Sequence, residues 1–300
     1  MSPNAGPPVH GPAITIVEVG PRDGLQNEKG AISTADKIAF VDKLSDANLP
    51  VIEVSAFVSP KWVPQMADAA DVFAGITRKP GTRYTALVPN VAGLERAQKA
   101  GVTEVAIFAA SSETFSRKNI NQSIDDSFVT YKDVCDRARA AGMRVRGYLS
   151  TAFGCPYEGA VPEATVAALS ARLIDLGVFE VAVSDTIGIG KPEDVRRVLD
   201  AVLAKVTADK VALHFHDTRG QALNNVREAL PYGIRTFDAS AGGLGGCPYA
   251  PGAPGNLATG ALVQMLDEMG MKTGVSLDAL TAAASFVRSR LSPAGPPSTA

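Results

Sequence analysis

Short runs of apolar and β-branched residues recur along the chain, and most are followed by a longer stretch whose apolar positions repeat every three or four residues. The short runs predict strands, and the longer periodic stretches predict amphipathic helices. The eight predicted strands occupy positions 14–19, 51–57, 83–88, 104–109, 144–150, 179–184, 211–216 and 236–240. The helices predicted after them occupy positions 33–48, 64–77, 90–101, 125–141, 162–176, 192–206, 221–230 and 256–269.

Eight units of a strand followed by a helix, in one continuous chain, predict a (β/α)8 TIM barrel, with an additional C-terminal helix at positions 277–291. A doubly wound sheet is the alternative. Such a sheet usually carries a GxGxxG turn after its first strand, whereas this chain has GPRDG at positions 20–24. We therefore favour the barrel, in which the carboxyl ends of all the strands meet at one face and build the site.

A few residues mark where helices begin and where the folded domain ends. Ser33 is placed to cap the first helix, with Asp36 three residues later, and Pro162 fits the first position of its helix. After the fourth strand we expect a long loop before the helix at 125–141. The proline-rich positions 1–12 predict a disordered leader, and positions 292–300 predict a flexible tail around a single catalytic domain at 13–291.

Composition narrows the class of function. The formal net charge of -2 gives no electrostatic support for binding nucleic acid or a membrane surface. No apolar run approaches the roughly 20 residues that a membrane span needs. The three cysteines, Cys135, Cys155 and Cys247, form no paired framework, which suits a reducing cytoplasm. The expected partner is therefore a small molecule.

Two of the three histidines in the chain lie two residues apart, in the seventh predicted strand. On a strand, residues i and i+2 point to the same face, so His214 and His216 project together. A divalent metal is the obvious common partner for two neighbouring imidazoles. The alternative is a pair of polar residues at a strand end that bond to backbone and water.

Other polar residues fall at the ends of other predicted strands. Two imidazoles, one or two carboxylates and an amide make a nitrogen and oxygen site, which suits Mg²⁺, Mn²⁺ or Co²⁺ rather than a structural zinc. The candidate residues, in chain order, are Glu18, Arg22, Asp23, Glu53, Ser55, Asp185, His214, His216, Cys247 and Asn256.

Several of these residues also have a purely structural interpretation. Glu53 could be a core carboxylate that Arg22 satisfies, and Asp185 could hold a neighbouring segment in place instead of binding metal. On its helical face Cys135 is expected to be an inert core residue, and Trp62 is expected to pack. Cys155 is left undecided.

The segment GGLGGCPY at positions 242–249 has four glycines within five residues. Glycine gives the backbone freedom and offers little to pack, and a barrel places this segment at its mouth. We interpret it as a mobile lid with Cys247 at its tip, against the alternative of a flexible connection.

Taken together, five stretches resemble signatures of the 3-hydroxy-3-methylglutaryl-CoA lyase family. The resemblance runs from about position 14 to position 289, and the combination of stretches is highly specific. The stretches are VEVGPRDGLQNEK at 17–29, FVSPKWVPQM at 57–66, GCPYEG at 154–159, GLGGCPYA at 243–250 and GNLAT at 255–259.

The resemblance implies a metal-dependent active site. It implies a cation, Mg²⁺ or Mn²⁺, bound by four ligands, an arginine on substrate oxygen and a cysteine on the catalytic loop. The implied metal ligands are Asp23, His214, His216 and Asn256. The expected catalytic residues are Arg22 and Cys247, together with Asp23, Glu53 and His214 as further candidate acids and bases for this chemistry. Gln26 and Asp185 are expected beside Arg22 as substrate-binding residues.

The activity that the resemblance implies is cleavage of 3-hydroxy-3-methylglutaryl-CoA to acetoacetate and acetyl-CoA, a step of the leucine-degradation type. The unpaired cysteines predict a cytoplasmic protein, and the additional C-terminal helix predicts a homodimer. One alternative is a related acyl-CoA lyase or Claisen-condensing barrel, such as a citramalyl-CoA-type lyase. A non-catalytic barrel that binds metal or CoA is the alternative from another class. The chain departs from the family pattern at Gly260, where an acidic residue is common.

Overall fold

Eight parallel strands pair in the order of the sequence and close into a barrel, because the first strand also pairs with the eighth. The computed structural model describes residues 13–28, 30–246 and 254–291. The strands are β1 Thr15–Glu18, β2 Val51–Ala56, β3 Arg83–Leu87, β4 Glu104–Ala110, β5 Arg144–Ser150, β6 Val181–Asp185, β7 Val211–Phe215 and β8 Thr236–Ala239. The α-helices are α1 Thr34–Asp46, α2 Ala69–Gly75, α3 Val91–Lys99, α4 Glu113–Ile120, α5 Ile124–Ala140, α6 Glu163–Asp175, α7 Pro192–Leu203, α8 Ala222–Ala229, α9 Thr259–Glu268 and α10 Leu277–Arg290.

The predicted barrel and its additional C-terminal helix are both confirmed. Helix α10 packs against α1 and α9, outside the alternation of strand and helix. The predicted cap of the first helix is also present, since the backbone N–H of Asp36 donates to the Ser33 hydroxyl at 3.1 Å. Local signals therefore set the helix start, and burial of the strands sets the architecture.

One helix is missing from the sequence prediction. Helix α4 occupies the stretch that we expected to be loop, and Ser112 caps it by accepting from the backbone N–H of Phe115 at 3.2 Å. It ends at Asn121, which takes the left-handed conformation with φ 55°. Only Phe115 and Ser116 of its residues are buried, so the apolar period is too faint to read from the sequence.

Three predicted helix boundaries are wrong for identifiable reasons. The helix predicted at 64–77 divides into a 3-10 turn at Pro64–Met66 and α2. Pro162 is the N-cap of α6, one position before the first helical residue. The helix predicted from Asn256 begins only at Thr259, because Asn256 and Ala258 form isolated β-bridges with His216 and Ser240.

The strands present an apolar face to the helices and a polar face to the barrel interior. Ile52 and Val54 lie in the large core between strands and helices, whereas Glu53 faces the interior. The interior position of Glu53 follows from its partner: Tyr148 donates to it at 3.1 Å from β5, which does not neighbour β2. Side chains on strands that are not adjacent can meet only across the barrel.

Single residues outside the site confirm one expectation and correct another. Cys135 is buried within α5, as predicted. Trp62 does not pack: it is 85% exposed and lies in the turn after β2, where its backbone N–H donates to the Ser59 carbonyl. Phe57 fills the nearby core instead. Within the described part of the chain, no helix combines the length and apolar character that crossing a membrane requires.

Candidate active site

Three of the four predicted metal ligands form one cluster at the carboxyl ends of β1 and β7. Each of Asp23, His214 and His216 offers a ligand atom, and these atoms all lie within 4.8 Å of one another. The two imidazoles project together, as strand alternation predicts, with ring centroids 5.3 Å apart. Asp23 reaches them from a π-helical turn at Gly20–Gly24, directly after β1.

The fourth predicted ligand, Asn256, lies beside the same cluster. Its Nδ2 donates to Asp23 Oδ2 at 2.8 Å and to the Leu244 carbonyl at 3.3 Å. Since the amide nitrogen faces two acceptors, the amide oxygen points away from them. That oxygen is buried and has no hydrogen-bond partner among the described residues. A carboxylate and two imidazoles fit a divalent cation with nitrogen and oxygen ligands, and a half-turn of the Asn256 amide, which exchanges its nitrogen and oxygen, would add the amide oxygen to them.

Arg22 is buried between two carboxylates. Its Nε donates to Glu53, and its Nη1 donates to Asp23 Oδ1 at 2.5 Å. The guanidinium also lies over the Tyr148 ring, 5.4 Å from the ring centroid. Both oxygens of Glu53 are occupied, one by Arg22 and the other by Tyr148, which favours the interpretation of Glu53 as a satisfied core carboxylate.

The surroundings of Asp23 keep it ionised. Burial alone would raise the pKa of its carboxyl, but the charge of Arg22 and the bonds and charges of His216 and His214 together hold that pKa well below its ordinary value. Asp23 therefore presents a carboxylate at neutral pH. An ionised carboxylate is the form that binds a cation or accepts a proton.

Sequence reasoning missed a second group of buried charges behind His214. His214 Nδ1 lies 3.1 Å from Asp238 Oδ2 in β8. Arg146 of β5 donates to both oxygens of Asp238, at 2.8 Å and 3.1 Å, and to Glu180 at 2.8 Å. Burial raises the pKa of Asp238, but Arg146 and His214 lower it further, so the carboxyl stays ionised. The only signal in the sequence was a charge inside each of three predicted strands.

Asp185 and Gln26, the predicted substrate-binding residues besides Arg22, lie in different surroundings from each other. Asp185 is buried and accepts from the backbone N–H groups of Ile189 and Gly190, at 3.1 Å and 2.9 Å. Burial raises the pKa of the Asp185 carboxyl despite these bonds. Its contacts favour shaping the loop after β6 over contacting substrate. Gln26 is half-buried, two residues beyond the π-helical turn.

The predicted loop cysteine, Cys247, lies outside the described residues. The start of its segment is described: Gly242, Gly243 and Gly245 have φ of 68°, 66° and 95°, a region that glycine adopts without strain. Cys155, which the sequence left undecided, is buried, with its Sγ 3.0 Å from the Ser112 hydroxyl.

Comparison with known proteins gives one consistent answer. Residues 13–287 match the HMGL-like family. The mitochondrial hydroxymethylglutaryl-CoA lyase of Bos taurus is 52% identical over 91% of this chain and 84% of its own length. The hydroxymethylglutaryl-CoA lyase of Bacillus subtilis is 51% identical over 93% of each chain.

Solved structures agree with the sequence comparison. The crystal structure of the HMG-CoA lyase from Brucella melitensis has a TM-score of 0.91 at 50% identity, and the match covers 92% of this chain and 98% of that one. An HMG-CoA lyase from Acinetobacter baumannii, solved in complex with coenzyme A and 3-methylmalate, has a TM-score of 0.88 at 38% identity over 92% of this chain and 90% of its own.

Proposed function

The chain belongs to the HMGL-like family, and from that premise we propose that it is a carbon–carbon lyase that cleaves 3-hydroxy-3-methylglutaryl-CoA to acetoacetate and acetyl-CoA. The proposal rests on about half of the residues being identical to curated lyases of that name, with matches over most of both chains. The observation that carries it is the cluster of Asp23, His214 and His216 with the amide of Asn256 beside it.

The reaction is a retro-Claisen cleavage, and it sets three requirements. A base takes the proton of the tertiary alcohol, and the alcohol carbon becomes the ketone of acetoacetate. The bond between that carbon and the carbon next to the thioester breaks, and its electrons form the thioester enolate. A proton donor then converts this enolate to acetyl-CoA. The site must therefore accept one proton, stabilise a developing negative charge and deliver one proton.

A divalent cation, Mg²⁺ or Mn²⁺, fits the first requirement. Asp23, His214, His216 and Asn256 would hold it, since they supply one carboxylate, two imidazoles and one amide oxygen. When bound, such a cation supplies Lewis acidity that lowers the pKa of the substrate alcohol. Asp23 is already ionised and is our proposed acceptor for the hydroxyl proton.

Arg22 meets the second requirement. Its charge is held out of water, since the residue is 7% exposed, and two carboxylates fix its orientation. Nε and Nη1 are engaged, and Nη2 has no hydrogen bond to the described residues. A planar guanidinium held in this way suits the enolate oxygen. Cys247 is our proposed donor of the proton that the enolate takes up.

A continuous assay of acetoacetate release, with and without EDTA, tests this function. We expect acetoacetate to be released from 3-hydroxy-3-methylglutaryl-CoA. EDTA should abolish this release, and added Mg²⁺ or Mn²⁺ should restore it. Cleavage of citramalyl-CoA in preference, or condensation in place of cleavage, would indicate the related lyases and synthases. Metal or CoA binding without any turnover would indicate a non-catalytic barrel.

We also propose a homodimer that works in the cytoplasm. Helix α10 lies outside the barrel repeat, and a barrel with such an extra C-terminal helix often dimerises. Three cysteines without a paired framework suit a reducing compartment. Sedimentation equilibrium tests the homodimer, and a mass of 31.1 kDa, that of a single chain, would contradict it. Cell fractionation tests the cytoplasmic location.

A further inference from the structure

His214 is held from behind by a buried carboxylate. Its Nδ1 lies 3.1 Å from Asp238 Oδ2, and both side chains are almost completely buried. The contact joins β7 to β8, where His214 is paired directly with Asp238 in the strand register. The opposite edge of the imidazole is therefore the one that faces Asp23 and His216.

We propose that Asp238 is a positioning residue that fixes His214 as the tautomer with hydrogen on Nδ1, and so reserves Nε2 for the metal centre. This inference rests on the proposed function for the presence of a metal. A neutral imidazole has one N–H and one lone pair, and a carboxylate can only accept. Nδ1 must then be the donor, and the lone pair is left on Nε2, where a metal ligand needs it.

Asp238 is itself prevented from turning. Arg146 donates to both of its oxygens, through Nη2 to Oδ1 at 2.8 Å and through Nη1 to Oδ2 at 3.1 Å. A guanidinium that binds a carboxylate in this two-pronged way fixes its plane as well as its position. Arg146 is held in turn by Glu180 at 2.8 Å. The chain of contacts crosses the barrel interior from β5 to β8.

A second consequence concerns the chemistry. With Nε2 reserved for a metal and Nδ1 bonded to Asp238, neither nitrogen of His214 would remain for the substrate. A proton leaving Nδ1 can pass only to the buried carboxylate of Asp238, which already accepts two hydrogen bonds from Arg146. His214 is thereby removed from the candidate acids and bases, and Asp23, Glu53 and Cys247 remain.

The substitution Asp238→Asn tests the positioning of His214. Arg146 donates to both oxygen positions of Asp238, so an amide in either orientation turns its NH₂ toward one of these donors and loses the two-pronged hold. The group that accepts the Nδ1 hydrogen is then weakened or replaced by a donor, and the lone pair on Nε2 is no longer secured for a metal. We expect the affinity for Mn²⁺, measured by electron paramagnetic resonance on the metal-free protein, to fall about 10- to 100-fold.

Glu180→Gln is the matched control. It too removes one carboxylate from Arg146, but Glu180 does not touch His214. We expect its Mn²⁺ affinity to change by less than about threefold, well below the roughly 10- to 100-fold that loss of a direct partner of a metal ligand costs. Equal losses in Asp238→Asn and Glu180→Gln would mean that Asp238 serves only the fold, and no loss in Asp238→Asn would overturn the proposal.

A measurement on the unaltered protein keeps the test decisive if Asp238→Asn does not fold. ¹⁵N NMR of the metal-free enzyme, with imidazole nitrogens labelled, should show His214 with its hydrogen on Nδ1. Hydrogen on Nε2 would overturn the proposal without any mutant. Neither measurement uses substrate, so failure to cleave 3-hydroxy-3-methylglutaryl-CoA would contradict the proposed function and leave this inference standing.

Discussion

Two arginines in the barrel interior each face two carboxylates. Arg22 bonds to Asp23 and Glu53, and Arg146 bonds to Asp238 and Glu180. Each group of one arginine and two carboxylates therefore has one more negative charge than positive, and a buried unpaired charge destabilises the folded state. A divalent cation beside Asp23 would offset that excess. The balance of charges and the geometry of the ligands therefore both favour a cation site beside Asp23.

Arg22→Gln should lower kcat much more than it raises KM. An arginine that neutralises the departing enolate acts mainly in the transition state, and losing one such group typically reduces the rate by a factor of about 100 to 1,000. Steady-state kinetics on the two proteins measures both constants. Arg144→Gln, at the half-exposed opposite end of the barrel, is the control and should keep normal kinetics. A normal kcat with only a raised KM would mean that Arg22 merely anchors substrate.

Alkylation should inactivate the enzyme through Cys247. The other two cysteines are buried, so a maleimide should report chiefly on the one in the glycine-rich segment. Cys247→Ser should keep the fold and the metal but lose most activity, because a hydroxyl has a much higher pKa than a thiol and is a poor proton donor. Mass mapping identifies the labelled residue. Full activity of Cys247→Ser, or inactivation by label on Cys155 alone, would contradict the role.

The sequence revealed one part of the candidate site and hid another, for physical reasons. His214 and His216 could be paired from strand alternation, because that periodicity is local. The contact between Arg146 and Asp238 could not, since it joins positions 92 apart and exists only because the barrel closes. A charged residue inside an apolar run indicated that it needs a buried partner, but no local pattern in the sequence identified that partner.

At the scale of elements, Glu18 ties the end of β1 to both sides of the segment that carries Asn256. Its Oε1 accepts from the backbone N–H groups of Gly20 and Ala241, both at 2.8 Å, and its Oε2 accepts from the Thr259 hydroxyl at 2.7 Å. Ala241 follows β8, and Thr259 begins α9. The sequence placed Glu18 at a strand end but gave no sign of this link.

The pH dependence of stability should carry a contribution from Glu18. Burial raises the pKa of its carboxyl to about 7, against an ordinary value of 4.5, although three hydrogen bonds partly oppose the rise. Between these two values the folded state binds the proton more tightly than the unfolded state, so this group lowers stability as pH rises through the window. Glu18→Gln, which keeps the shape and needs no charge, should gain stability relative to the native protein from about pH 4.5 to about pH 7.

Urea denaturation at the two ends of that window measures the effect. Glu95→Gln, which changes an exposed carboxylate on α3, is the control and should follow the native pH dependence. A stability difference between Glu18→Gln and the native protein that stays constant with pH would show that Glu18 is ionised throughout the window.

At the scale of the whole molecule, the barrel separates two environments. Its outer layer between strands and helices is apolar and supplies the core, while its interior holds a connected set of charged side chains. The eightfold repeat of strand and helix made the architecture predictable, because each strand shows the apolar period of its outer face. Helix α4 and the late start of α9 were not predictable, since exposed residues and long-range bridges determine them.

The central claim is that four residues from the ends of three strands hold one divalent cation that the lyase reaction needs. The most direct measurement is acetoacetate release by metal-free native protein and by His216→Ala as Mn²⁺ is titrated. We predict that the metal-free native protein releases no acetoacetate. His216→Ala should need an Mn²⁺ concentration at least about 10-fold higher than the native protein for the same activity, because one imidazole ligand is gone. Full activity of His216→Ala at limiting Mn²⁺ would contradict the account.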